Sequence, residues 1–132
     1  MEEYFKLKNE NKKSIIMIKK GLFYNAFYED AIMMSYLMNY KIYYNNDKLC
    51  ISFPDKSLSL VLSRLRVRKI SYVLINKEVK EQFMGLVLEY NNLLKEATKI
   101  KEKELLIDKI NNNLKMLDLK KIKEIYEIIE RK

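Results

Sequence analysis

The chain contains no histidine, no tryptophan and a single cysteine, Cys50. Without histidine there is no imidazole to act as a general base or as a zinc ligand, and a single thiol cannot form a disulfide within the chain. Most hydrolase and metal chemistry is thereby excluded. We therefore expect no catalytic residue, no metal ion and no cofactor.

Glycine and proline are also scarce, with Gly21, Gly85 and Pro54 the only examples. Two glycines so far apart cannot supply a phosphate-binding GxxxxGK[ST] loop, so nucleotide hydrolysis is not expected. Tracts rich in Ser, Gly or Pro, which are typical of disordered linkers, are absent as well. A chain of 132 residues with 48% hydrophobic residues is therefore expected to fold throughout around a single core.

Long apolar segments are missing too, and none approaches the ~20 residues that a helix needs to cross a bilayer. The first residues, Met1-Glu2-Glu3, lack the basic region followed by an apolar region that marks a secretory signal. We therefore expect a soluble, cytoplasmic protein that makes no membrane contact.

The net charge of +8 is concentrated in the first part of the chain. Residues 1–76 contain 13 Lys and Arg against 7 Asp and Glu, whereas residues 77–132 contain 13 against 11. A basic domain favours nucleic-acid contact, because neutralising phosphates releases condensed counterions. The alternative is a solvated lysine-rich surface, since the excess of Lys, Asn, Ile and Tyr also fits the codon bias of an AT-rich genome.

Hydrophobic periodicity in the first part of the chain predicts helices that alternate with strands. A short helix is expected over residues 2–11 and a strand buried on both faces over residues 14–18. Gly21 then supplies the backbone freedom for a turn. From Tyr24 onward, the helical spacing of apolar residues predicts a helix of about four turns that ends near Asn39.

A hairpin follows, because two β-prone segments, residues 40–44 and 49–53, flank a cluster of Asn and Asp residues that favour turns. Asp55 is next a candidate N-cap for a helix whose apolar face lies within residues 58–65. Residues 70–75 have the pattern of another buried strand. This order of elements predicts an α/β fold in which helices sandwich a small mixed sheet.

Beyond Asn76 no convincing strand is seen, and apolar residues fall at helical spacing to the end of the chain. We expect two or three helices, with Asp118 as a candidate N-cap for the last one. Residues 1–76 and 77–132 are thus interpreted as an α/β domain and an all-helical extension. The extension can pack on the sheet, associate with a second copy or dock a partner protein. Its apolar stripes comprise Phe83, Val87, Tyr90, Leu94 and Ala97; Leu106, Ile110, Leu114 and Leu117; and Leu119, Ile122, Ile125, Tyr126 and Ile129.

Several segments of the first part of the chain follow, in order, the pattern of one protein family. The most informative is Gly21-Leu22-Phe23-Tyr24-Asn25, which leads into residues 27–31. Together the segments resemble the mismatch-recognition domain that begins DNA repair proteins of the MutS family, whose pattern there reads roughly GDFYELFYDDA. The resemblance covers about residues 3–76 and implies that domain's α/β fold, without the family's ATPase regions. The other matching segments are residues 4–8, 15–18, 52–54, 58–65 and 71–75.

The resemblance also implies a mode of DNA binding. In that family, the motif phenylalanine wedges into the duplex from the minor groove and stacks on a mispaired base, while a nearby glutamate hydrogen-bonds the base. The phenylalanine matches Phe23, whereas Asn25 replaces the glutamate. An amide donates and accepts hydrogen bonds but carries no charge. The resemblance therefore implies DNA binding without implying mismatch selectivity.

The leading hypothesis is a non-enzymatic DNA-binding module that serves as an accessory protein of a repair system or a mobile element. Its ligand would be duplex DNA, mispaired or bent. Phosphate contacts, which position a protein on DNA without reading its sequence, are expected from the basic residues of this part of the chain. These are Lys12, Lys13, Lys19, Lys20, Arg64, Arg66, Arg68 and Lys69.

Three alternatives stay open on the residues alone. Phe23 can instead pack the following helix on the sheet, because aromatic residues near a turn are often core residues. Pro54-Asp55 followed by Glu78-Val79-Lys80 superficially matches the PD…ExK pattern of metal-dependent nucleases, which would need both carboxylates at one magnesium ion. Finally, the first part can be a scaffold that has lost DNA binding, with the helical extension forming a homodimer or contacting a protein partner.

Overall fold

The computed structural model describes residues 2–115 and 119–130, which form six strands and five α-helices. Two compact units comprise residues 1–99 and residues 100–132. The predicted class, an α/β fold with a helical extension, is confirmed. In chain order the elements are α1 (Glu2–Glu10), β1 (Ile15–Lys20), β2 (Phe23–Phe27), α2 (Tyr28–Met38), β3 (Tyr43–Asn45), β4 (Lys48–Pro54), α3 (Leu58–Val67), β5 (Tyr72–Asn76), β6 (Glu78–Phe83), α4 (Val87–Lys115) and α5 (Leu119–Glu130).

The first unit is built on one six-stranded sheet with the strand order β3-β4-β2-β1-β5-β6. Strands β1 and β5 run parallel, with Ile16 opposite Val73, and the other neighbouring strands are antiparallel. The sheet is therefore mixed, as predicted. Residues 15–18 of β1 are all buried, because this central strand is covered on both faces.

Helices cover both faces of the sheet and create two hydrophobic cores. On one face, α2, α3 and the start of α4 pack on Met17, Leu74 and neighbouring strand residues to form the larger core. On the other face, α1 packs through Tyr4 on Phe27, with the ring centroids 5.4 Å apart. The sandwich expected from the sequence is thus present in the first unit, with unequal layers.

The predicted hairpin is confirmed, with β3 and β4 joined by a turn at Asn46 and Asp47. Both residues have positive φ angles, 51° and 64°, which Asn and Asp tolerate better than other non-glycine residues. Helix α2 ends at Met38, with Asn39 in a left-handed conformation as its C-cap, close to the predicted end.

The prediction of a helix from Tyr24 is wrong in its first turn, because Phe23–Phe27 form strand β2. Tyr24 and Ala26 are buried in the larger core, and Asn25 between them points to the opposite face. β2 is hydrogen-bonded to β1 on one side and to β4 on the other. Pairing with two strands therefore outweighs the helical spacing of the sequence, and α2 begins only at Tyr28.

The prediction that only helices follow Asn76 is also wrong, because Glu78–Phe83 form the edge strand β6. This segment is rich in residues that favour helices, but Phe83 stacks on Tyr72 of β5 with ring centroids 5.6 Å apart. Phe83 thus belongs to the sheet and not to a helical stripe. The boundary expected after residue 76 falls at the turn of this β-hairpin, where Lys77 has a φ of 69°.

The two predicted N-caps have different outcomes. Asp55 does not cap α3: it begins a short 3₁₀ turn, Asp55–Ser57, and its carboxylate lies 3.2 Å from Lys19 Nζ. Within residues 55–67, no side chain forms a capping hydrogen bond. Asp118, the other candidate cap, and Leu117 of the second apolar stripe lie outside the described residues.

Gly85 sits at a close approach of two backbone segments just before α4. A Cβ atom at this position would lie 1.9 Å from the main-chain oxygen of Lys69. This distance is a severe steric overlap, so only glycine fits here. The Gly85 N–H donates to Ser71 Oγ at 2.8 Å, and the Leu86 N–H donates to Lys69 O at 2.9 Å. The start of α4 is thereby attached to the end of α3, and its residues Tyr90 and Leu93 enter the larger core.

The second unit contains the last part of α4 and the helix α5. Apolar side chains along both segments are exposed, among them Ile107 and Ile110 of α4 and Leu119, Tyr126 and Ile129 of α5. Among the helices described, none is both long enough and apolar enough to cross a membrane.

A buried carboxylate, Asp30 in the first turn of α2, joins four elements of the first unit. Its Oδ1 lies 2.7 Å from Lys8 Nζ of α1 and 3.3 Å from the Tyr90 hydroxyl of α4. Its Oδ2 accepts the main-chain N–H of Ile16 in β1 at 3.0 Å and lies 3.1 Å from the Tyr4 hydroxyl. Each carboxylate oxygen therefore has two polar partners, as a buried charge requires.

Burial raises the pKa of the Asp30 carboxyl, and the nearby Lys8 ammonium acts in the opposite direction. Burial, together with the charge of Asp30, also raises the pKa of the Tyr4 and Tyr90 hydroxyls, so both remain protonated donors. Sequence patterns gave no indication of this network, since Lys8 and Tyr90 are 82 positions apart.

Replacing Asp30 by asparagine should lower the free energy of unfolding by about 3 kcal/mol, because Lys8 is left as a largely buried charge without its partner. Urea unfolding followed by circular dichroism measures the loss. Glu78→Gln, at a position whose side chain is 77% exposed, is the matched control and should change stability by less than about 0.5 kcal/mol. An equal loss in both variants would contradict the stabilising role of the buried pair.

Candidate nucleic-acid interface

The segment around Gly21 forms the tight turn between β1 and β2. Gly21 has a φ of +64°, a left-handed conformation that costs glycine little. The next two side chains are exposed, since Leu22 retains 75% of its accessible surface and Phe23 retains 49%. Phe23 therefore lies at the end of a β-hairpin and not at a strand-to-helix junction, and the alternative that it is a core residue is wrong.

Phe23, Asn25 and Phe27 lie on the same face of the sheet, because side chains alternate along β2. Phe27 is buried under α1, whereas Asn25 is half-buried and Phe23 is exposed. The cover on this face thus ends between Phe27 and Phe23. A groove on the same face is lined by Asn25 and Phe27 and by residues of β1, β3 and β4. We term this region the open face, which comprises Lys20, Phe23, Asn25, Tyr43, Lys48 and Ser52.

The amide of Asn25 is held from both neighbouring strands. Its Nδ2 donates to Ile18 O of β1 at 3.3 Å, and its Oδ1 accepts a hydrogen bond from Ser52 Oγ of β4 at 2.5 Å. Ser52 Oγ also contacts the hydroxyl of Tyr43 in β3. The position that the resemblance assigns to base contact is therefore part of a hydrogen-bonded chain across four adjacent strands.

The lysines next to the turn point to different sides. Lys20 lies opposite Phe23 in the β1–β2 pairing and is on the open face. Lys48 of β4, which was not predicted, lines the same groove. Lys19 alternates to the other face, where its Nζ lies 3.2 Å from Asp55 Oδ2. Lys19 thus already has an acidic partner. Lys20 Nζ lies 6.0 Å from the ring centroid of Phe27, and Lys48 is near the same end of β2, since Phe27 pairs with Cys50. The two positive charges therefore lie on the open face towards Phe27.

Lys12 and Lys13 lie in the turn that precedes β1, at the opposite end of that strand from Phe23. The extended chain between Lys13 and Lys20 spans roughly 20 Å at the usual rise per strand residue. Lys13 Nζ lies 5.8 Å from the ring centroid of Tyr90. These two lysines therefore do not contribute to the open face.

The other four predicted basic residues cluster around the C-terminal end of α3, which packs on the opposite face of the sheet. Arg66 is held most firmly, with Nε 3.0 Å from the Tyr72 hydroxyl and Nη2 3.0 Å from Glu81 Oε2. Burial and the hydrogen bond to Glu81 raise the pKa of Tyr72 to about 12, and the same bond lowers the pKa of Glu81. The cluster comprises Arg64, beside Met38; Arg66; Arg68, beside Glu96; and Lys69.

The structure adds Leu22, Tyr43, Lys48 and Ser52 to the candidate site. The first is the neighbour of Phe23 in the turn, and the other three come from the β3–β4 hairpin. Alternation along the predicted second strand of that hairpin already placed Ser52 and Cys50 on one face. What the sequence did not reveal is that β2 pairs with β4, because residues 24–27 were interpreted as helix.

The two carboxylates of the nuclease-like pattern are not brought together. Asp55 follows β4 and Glu78 begins β6, so β2, β1 and β5 lie between them, a separation of about 19 Å at the usual spacing of strands. Each has its own lysine, Lys19 and Lys80 respectively. In the described part of the chain, no group of three or more His, Cys, Asp or Glu residues is placed to hold a metal ion. The nuclease interpretation therefore loses its geometric basis.

Fold and site together define a small α/β domain whose candidate contact surface is an exposed aromatic hairpin flanked by lysines. The family model for MutS domain I matches residues 1–100, and the chain belongs to that family. The resemblance inferred from residues 3–76 is thereby confirmed. The match also extends through β6 and into α4, which agrees with a first compact unit that ends at Lys99.

Curated relatives match over a shorter part of the chain. The DNA mismatch repair proteins MutS of Thermotoga neapolitana and Thermotoga maritima are 35% and 34% identical to it over 65 residues. The aligned region makes up 49% of this chain and 8% of each relative. The chain therefore corresponds to a small part of the relatives' length.

Phe23→Ala should lower the free energy of unfolding by less than about 1 kcal/mol, because the ring is half exposed. Phe53→Ala should cost about 3–5 kcal/mol, since Phe53 is fully buried and stacks on Tyr24 and Tyr40. Urea unfolding of both variants measures the difference. Similar losses for the two would show that Phe23 contributes to the core and not to a contact surface.

Proposed function

We propose that the chain is a non-enzymatic DNA-binding module that inserts the Phe23 ring between base pairs. The observation that supports this proposal most is the exposure of Phe23 on the β1–β2 hairpin in a domain of the MutS domain I family. Leu22 beside it is exposed as well, so two consecutive apolar side chains face the solvent. A hairpin end of this kind is narrow enough to approach a groove of the duplex.

Insertion of an aromatic ring is favourable where the DNA is easiest to open. A wedge that unstacks one base step costs a few kcal/mol, and the ring replaces part of the lost stacking. A mispaired step is weakly stacked and bends readily, so it pays the smallest deformation energy. Phe23 is therefore proposed to favour mispaired or bent duplexes over regular ones.

The charges of the open face favour the same ligand. Lys20 and Lys48 line the groove on the open face and are proposed to contact phosphates on the Phe27 side of the inserted ring. The other predicted basic residues, Lys12, Lys13, Lys19 and the cluster at the end of α3, lie on other surfaces.

The mismatch-recognition part of this proposal is based on the names of the relatives, which are DNA mismatch repair proteins. The chain corresponds to 8% of their length, so the rest of their activity is not part of the proposal. We propose a role in which the domain binds irregular DNA as an accessory to a repair system or a mobile element. In this role, the Asn25 amide would form hydrogen bonds with the DNA, but unlike a glutamate it has no carboxyl group that could gain or lose a proton.

Phe23→Ala should weaken binding to a duplex with one mispair at least about fivefold more than it weakens binding to the matched duplex, because stacking on one base contributes about 1–3 kcal/mol. Fluorescence anisotropy at low salt, with the two duplexes in parallel, measures both affinities. Binding should also fall as salt is raised, since phosphate contacts release counterions.

Phe5→Ala is the matched control for that experiment. Phe5 is 53% exposed, similar to Phe23, but it lies on α1, where its ring stacks on Tyr28. Its replacement should leave both affinities unchanged. If Phe23→Ala weakens binding to the two duplexes equally, the domain binds the DNA backbone only, and insertion of the ring is contradicted.

A second candidate function, a protein-interaction scaffold, is favoured by the second unit. Leu119, Tyr126 and Ile129 of α5 are 67%, 61% and 64% exposed, and such apolar surface is typical of association sites. Sedimentation velocity on the full chain tests it. A dimer that Tyr126→Glu converts to a monomer, together with no DNA binding at low salt, would favour the scaffold. A monomeric wild-type chain would remove support for self-association.

A further inference from the structure

The Ile18 carbonyl fixes the direction of every hydrogen bond in the chain that holds Asn25. A carbonyl oxygen only accepts, so the group of Asn25 that faces it is the NH2 group. Oδ1 therefore faces Ser52, whose one hydroxyl proton is donated to it. With that proton used, Ser52 Oγ accepts from Tyr43, whose hydroxyl donates. The opposite amide orientation would place two acceptors against each other at Ile18.

The fixed amide keeps one free donor and one free acceptor. Its Nδ2 has two N–H bonds, and the one that reaches the main-chain oxygen of Ile18 points back towards the sheet. The second N–H points away from the sheet, and Oδ1 retains a second lone pair. Because Asn25 lines the groove between Lys20 and Lys48, both free groups are available to a ligand there.

We propose that Asn25 reads a base edge on which an acceptor lies beside a donor, and that Tyr43 and Ser52 are positioning residues that fix the order of its own two groups. In the minor groove, guanine supplies such a pair through N3 and its N2 amino group, whereas A·T pairs present acceptors only. The inference rests on the proposed function, because insertion of Phe23 brings Asn25, two residues away on the same face, against the base edges.

The probe for this inference is a duplex with a single G·T mispair, compared with the same duplex that carries inosine in place of the guanine. Inosine lacks the N2 amino group but forms the same wobble pair with thymine. Wild-type protein should bind the guanine duplex about tenfold more tightly, the discrimination expected of one good bidentate contact. Asn25→Ala should bind the two duplexes equally.

Variants of the positioning residues test how the amide is held. Tyr43→Phe and Ser52→Ala should both move the guanine-to-inosine affinity ratio towards one. Ser52→Thr keeps the hydroxyl and should keep the ratio. Tyr44→Phe is the matched control, since it removes the same hydroxyl from the next residue, which is 63% exposed and outside this hydrogen-bonded chain, and it should bind like the wild type.

A measurement without DNA examines the amide directly. Nitrogen-15 relaxation should show restricted motion of the Asn25 NH2 group in the free protein, compared with the exposed Asn46 as an internal reference. Ser52→Ala should increase that motion. An Asn25 side chain as mobile as Asn46 in the wild type would overturn the fixed orientation, whatever the protein binds.

The DNA results separate this inference from the proposed function. If the wild type binds the guanine and inosine duplexes equally while Phe23→Ala still weakens binding to mispaired DNA, the reading of guanine by Asn25 is overturned and the proposed function stands. If the ratio is tenfold but is unchanged in Tyr43→Phe and Ser52→Ala, the positioning roles are overturned. If no duplex binds at low salt, the inference and the proposed function both fail.

Discussion

The Asp30 carboxylate is the interaction on which the arrangement of the first unit depends. It lies 2.7 Å from Lys8 Nζ and accepts the main-chain N–H of Ile16, so it fixes α1 and α2 against the central strand of the sheet. A buried carboxylate is tolerated only with partners of this kind. Because α1 is anchored at Asp30, it covers Phe27 and leaves the end of the same strand open at Phe23.

The open face is thus a consequence of how far one short helix reaches. Beyond α1, the sheet offers an exposed aromatic ring, an amide fixed by its neighbours and two lysines whose charges are on the same side. These groups come from the first four strands of the chain, which are neighbours in the sheet. Rigid strands position side chains more accurately than loops do, which suits a surface that discriminates between similar ligands.

Local patterns in the sequence predicted the parts of the fold that local interactions determine. The buried run at β1, the Asn46-Asp47 turn and the end of α2 near Asn39 all follow from burial or turn preferences of the residues themselves. β2 and β6 were missed because their strand conformation depends on partners elsewhere in the chain, namely β1, β4 and β5. The candidate site was therefore found at Phe23 and Asn25, while Tyr43, Lys48 and Ser52 needed the sheet topology.

The two edge strands of the sheet have a consequence for the behaviour of the protein in solution. β3 has only three residues, and β6 carries Glu78, Lys80 and Glu81, with a register shift opposite it between Leu74 and Ile75. Short, charged or irregular edges are poor templates for an additional strand. The domain can thus keep apolar side chains such as Leu22 in water while its backbone edges resist aggregation by strand addition.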